Sequence, residues 1–73
     1  MAIREIPLGR PSENINQVSY DDESGTLIVT FRKGAGRWLH VPTLVAEGFS
    51  KADSPMGYLK QAIEGQFIYQ RIA

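Results

Sequence analysis

The sequence predicts an α+β fold, a small antiparallel sheet in the order β-β-β-α-α-β packed against two short helices. Three observations predict it. Residues 26–32 alternate apolar and polar side chains at strand period, with Leu27, Val29 and Phe31 on one face. Residues 54–65 read as a helix with a start and a stop signal. Residues 67–72 then return to strand alternation, Phe67, Tyr69 and Arg71 against Ile68, Gln70 and Ile72.

In chain order, residues 1–11 form an N-terminal extended arm and residues 12–73 the α+β domain. The arm carries Ile3, Ile6 and Leu8 among Arg4, Glu5 and Arg10, with Pro7, Gly9 and Pro11 interrupting any helix or central strand. Residues 14–20 are a first strand, with Ile15 and Val18 at an odd spacing that does not settle its inward face. Asp21 to Gly25 is a turn, acidic residues first and a glycine able to take positive φ. Lys33 to Gly36 is a second turn, and residues 37–41 a third strand, with Trp38 and His40 opposite Leu39 and Val41. Pro42 closes the meander. Thr43 is expected to cap a short helix to about Lys51, with Leu44, Val45 and Phe49 as its apolar residues. Ser54 caps the second helix, Pro55 suits its first turn, and Met56, Leu59 and Ile63 share one face. Gly65 suits a left-handed stop.

With 73 residues and no cysteine, the chain makes one small domain without a disulfide or thiolate site, which suits a reducing, cytoplasmic setting. A deep substrate cavity would hollow out so small a core. Eight basic and eight acidic residues cancel, so no long-range field draws a phosphate backbone. No segment approaches the roughly 20 apolar residues of a membrane span. The expectation is a monomer outside the membrane, with a protein favoured over nucleic acid as its partner.

No catalytic, metal or cofactor chemistry assembles. His40 is a lone histidine between apolar neighbours, where a structural role outweighs a ligand role. Asp21, Asp22 and Glu23 lack the alternation of a calcium loop. The Gly34–Gly36 run joins strands instead of opening a helix, so it is a turn before it is a phosphate cradle. The serines have no assignable base. The chain is therefore not expected to be an enzyme.

Two binding surfaces remain. Ile3, Ile6 and Leu8, with Arg4 and Arg10 on the rim, could dock on a partner protein; a free tail, or a strap over the sheet edge, competes with that reading. Arg37, Trp38, Tyr69 and Arg71 could stack and neutralise single-stranded nucleic acid, against the simpler reading of core and cross-strand pairs.

From Ser12 onward the chain resembles the KTSC domain, a short family named for its occurrence at the C-terminus of some lysyl-tRNA synthetases. The resembling residues are Asn14-Ile15, Tyr20-Asp21, Thr26-Leu27, Val29, Phe31, Trp38 to Pro42, and the run Ser54, Tyr58-Leu59, Ile63, Gly65, Phe67, Tyr69 and Arg71-Ile72. Pro55, Gln61, Ala62, Glu64 and Gln66 stand where the family tends to be basic, and Ile68 where it often has proline. Stand-alone phage members are similar in length and in carrying an N-terminal arm. That resemblance implies a partner, the N-terminal part of the β′ subunit of bacterial RNA polymerase in the host cell. It also implies interference with σ-dependent promoter recognition, and antitermination.

Overall fold

Alternating apolar positions and short turns build one antiparallel sheet of five strands in sequence order, β1 (Ile3–Ile6), β2 (Ile15–Asp21), β3 (Thr26–Phe31), β4 (Gly34–Leu39) and β5 (Ile68–Arg71). The structure is a computed structural model and describes residues 3–72. Between β4 and β5 lie α1 (Thr43–Glu47), a 3-10 turn (Gly48–Ser50), α2 (Pro55–Tyr58) and a wider π turn (Leu59–Ile63).

The register sorts the side chains into two faces. On the inner face Tyr20, Leu27, Trp38 and Tyr69 lie in one cross-strand row, and Ile6, Val18, Val29 and Gly36 in the next. Ala46, Phe49, Leu59 and Ile63 from the helical segments complete the core over this face. The odd spacing of Ile15 and Val18 has a simple cause. The register shifts between Ile15 and Gln17, so Asn16 is an extra, bulged residue and both apolar side chains are buried.

Several local features depart from the sequence expectations. The arm is not separate from the domain: residues 3–6 pair with β2 and Ile6 is in the core. Pro7 and Gly9 act after this strand, so they end it and do not prevent it. The second turn is shorter than expected, since Gly34 to Gly36 already belong to β4. β4 stops at Leu39, because His40 takes a left-handed φ of 59° and turns the chain. The Val41 N–H then donates to the Gly25 carbonyl at 2.8 Å, and the buried Tyr20 hydroxyl donates to the Val41 carbonyl. Thr43 does not cap α1, whose N-cap is Pro42 without a side-chain bond. Ser54 does cap α2, accepting the Gly57 N–H at 3.2 Å with Pro55 in the first turn. Gly65 has the expected left-handed backbone, φ 78°.

Candidate partner-binding surface

The N-terminal strand and the helical segment meet along one side of the molecule. Arg4 fixes the junction. Its Nε donates to Asp22 Oδ2 at 2.8 Å and its Nη2 to Glu47 Oε2 at 3.1 Å, with the guanidinium 5.9 Å from the Tyr20 ring centroid. The bonds to Asp22 first, and then to Glu47, raise the guanidinium pKa above its already high value. These pairs are solvent-exposed, so they orient Arg4 more than they stabilise the fold. Beyond β1 the chain follows the 3-10 turn. The Gly9 N–H donates to the Phe49 carbonyl at 3.3 Å, and a Cβ on Gly9 would fall 2.6 Å from the Ser50 carbonyl oxygen.

A groove of about 370 Å³ lies between these segments, lined by Arg4, Ile6, Pro7, Leu44, Glu47 and Lys51 among others. Leu44 stands on its rim and is 82% exposed. At about 100° per residue, Leu44 lies about 200° around α1 from the buried Ala46, while Phe49, three residues past Ala46, shares the inward face. Of the apolar residues expected in this helix, Leu44 therefore faces solvent and Phe49 the core. The inward face is marked by a small alanine, which carries too little apolar signal to stand out beside a leucine.

The five arm residues are divided. Ile6 is 2% exposed and Leu8 packs on the core, so neither is a free anchor. Ile3 is half exposed, on the opposite face of β1 from Arg4 and Ile6. Arg10 is open to solvent and only 3.9 Å from Asp53, a loose ion pair.

The second set does not form one surface. Trp38 is 3% exposed and floors a pocket of about 390 Å³ with Phe31, Glu64, Gly65 and Tyr69. Tyr69 covers it at a centroid distance of 4.8 Å, leaving a single half-exposed ring of this pair. Arg71 shares the Tyr69 face, but Arg37 lies on the other and donates to Gln70 at 2.7 Å. A buried tryptophan cannot stack bases, and the Glu64 carboxylate beside the pocket opposes a phosphate. Among the described residues no group of three or more His, Cys, Asp or Glu could hold a metal ion, and no helix is long and apolar enough to cross a membrane.

The KTSC domain profile matches residues 11–67, most of the chain. The chain belongs to the KTSC domain family. A crystal structure of a KTSC domain protein from Yersinia pestis matches with a TM-score of 0.85 at 27% identity, covering 99% of this chain and 100% of that one. The structural likeness thus includes β1, which the family profile leaves out. No curated protein matches the chain significantly.

Proposed function

We propose that this KTSC protein is a small phage-type regulator that binds a protein partner through the β1–α1 groove, with Leu44 as the apolar anchor. The observation that supports this is the 82% exposure of Leu44 beside a groove rimmed by Arg4, Glu47 and Lys51. An exposed leucine flanked by charges of both signs is the composition of a protein interface, an apolar centre with a polar rim. The partner to test comes from the resemblance to the small RNA-polymerase-binding transcription regulator of a Xanthomonas bacteriophage. It is bacterial RNA polymerase, at the N-terminal region of β′. Binding there would disturb σ-dependent promoter recognition, and favour antitermination, by stabilising one polymerase conformation over another. That requires a different affinity for each.

Immobilised protein should retain polymerase subunits from a bacterial lysate both with and without nuclease treatment. Leu44→Asp should lose them while its circular dichroism is unchanged, since an exposed substitution away from special features alters stability by about 0.5 kcal/mol or less. Retention by Leu44→Asp would move the site elsewhere. Absence of polymerase would remove the partner, and retention that disappears with nuclease would point to nucleic acid.

A further inference from the structure

The two edges of the sheet are built differently. At the β1 edge two of the four strand residues are charged, Arg4 and Glu5, and Pro7 follows, which has no N–H to offer. These are the usual protections of an open edge. β5 has none of them apart from Arg71. Its four residues are all exposed and contain no proline, lysine or bulge, and Ile68 is 58%, Tyr69 51% and Ile72 50% exposed. An apolar open edge of this kind is a template for another strand.

The phase of β5 states what that strand must offer. Ile72 donates its N–H to the Ala35 carbonyl at 3.0 Å, towards β4. Backbone groups alternate sides along a strand, so Ile68, Gln70 and Ile72 turn theirs to β4 while Tyr69 and Arg71 turn theirs outward. A second copy of β5, antiparallel about a two-fold axis at Gln70, sets Tyr69 opposite Arg71 of the other copy, twice. Those are the residues with outward N–H and C=O groups, so the pairing closes four backbone hydrogen bonds. The same register sets Ile68 opposite Ile72 twice and Gln70 opposite itself.

The side chains match in this register. Isoleucine meets isoleucine on one face, and a tyrosine ring meets a guanidinium on the other. Tyr69 is already held against Trp38, and Arg71 makes no hydrogen bond or ion pair among the described residues. Gln70 accepts from Arg37 through Oε1, which leaves its amide N–H groups for the other Gln70. The neighbouring symmetric registers are worse. Centring on Tyr69 puts Ile68 against Gln70, and centring on Arg71 puts two guanidiniums face to face.

We infer that the protein self-associates through β5, forming a two-fold dimer with one continuous ten-stranded sheet, instead of the monomer its sequence leads one to expect. An isologous interface needs one self-complementary patch, and the strand from Ile68 to Ile72 is such a patch. This surface lies at the sheet edge opposite β1, so it does not depend on the partner-binding proposal.

The test uses the full chain, which has no cysteine of its own. Sedimentation of the wild type over a concentration series should show a monomer–dimer equilibrium. Arg71→Pro removes an outward N–H in each copy, two of the four inter-strand bonds, and leaves pairing to β4 intact. It should weaken association at least about tenfold. Ile72→Lys, which cannot disturb the strand's hydrogen bonding, should weaken it as well. Under mild oxidation Gln70→Cys should form a disulfide dimer, because the two-fold axis brings position 70 against itself, whereas Ile68→Cys should not. A wild type that is monomeric throughout would overturn the inference. So would association that survives both Arg71→Pro and Ile72→Lys, or cross-linking as efficient at position 68 as at 70.

Discussion

The Tyr58 ring lies where a Cβ of Gly48 would stand: a methyl group there would come within 2.0 Å of the phenol oxygen. The hydroxyl donates to the Val45 carbonyl at 2.6 Å, and the ring packs edge-on against Phe49 at 4.9 Å. The 3-10 turn can therefore approach α2 closely only because residue 48 lacks a side chain.

Gly48→Ala should therefore destabilise the protein. The backbone at Gly48 is helical, φ −59°, so alanine fits the conformation and on propensity alone would gain about 1 kcal/mol. Overpacking against a tethered ring costs about 1–3 kcal/mol and prevails. Urea unfolding should show a lower midpoint for Gly48→Ala, and the penalty should shrink in a Tyr58→Leu background. An unchanged midpoint would mean that Tyr58 swings aside freely.

Removing residues 1–10 should cost the fold its cooperativity. The deletion strips β1 from the sheet and takes Ile6 from the core. Ile6→Ala alone should cost about 2–5 kcal/mol, much of the stability of so small a domain. Ile3→Ala, at an exposed position, should stay within about 0.5 kcal/mol of wild type. A truncated protein that melts like the full chain would restore the arm as a separate segment.

How far the chain could be read depends on whether a local rule acts alone at each position. Leu27, Val29 and Phe31 alternate without interruption, and Ser54, Pro55 and Gly65 are local signals whose chemistry does not need the rest of the fold. Tertiary context decides the other cases. The Asn16 bulge reconciles Ile15 with Val18 only once β3 lies alongside. Ile6 reads the same in a free arm as in an edge strand until Val18 is opposite it. The inward face of α1 is set by Ala46 packing under the sheet, so the exposure of Leu44, and with it the candidate groove, cannot be read from the helix by itself.

Acid should weaken the fold through Asp21. Its Oδ1 accepts the Glu23 N–H at 2.9 Å, the main cause of a carboxyl pKa held below its ordinary value, with Ser24 helping. A depressed folded pKa means that the contribution is present above the unfolded value of about 3.9 and is lost as pH falls through the folded one. Asp21→Asn keeps an acceptor for the N–H but cannot titrate. Its stability should fall less than that of wild type below about pH 4, as read by denaturant midpoints across that range.

His40 should be replaceable by glycine with a gain in stability. Its φ of 59° places a β-carbon against the following carbonyl, a cost of about 1–2 kcal/mol that glycine does not bear. Glycine gives part of this back by loosening the unfolded chain, leaving a net gain on the order of 0.5–1 kcal/mol. His40→Val should lose at least as much, because a β-branched side chain fits the left-handed region worst. For a domain of this size about 1 kcal/mol moves Tm by about 4–8 °C, so calorimetry resolves both changes. Were residue 40 the continuation of β4, valine would be favoured and glycine penalised. The order of the two melting temperatures thus decides whether the strand ends at Leu39.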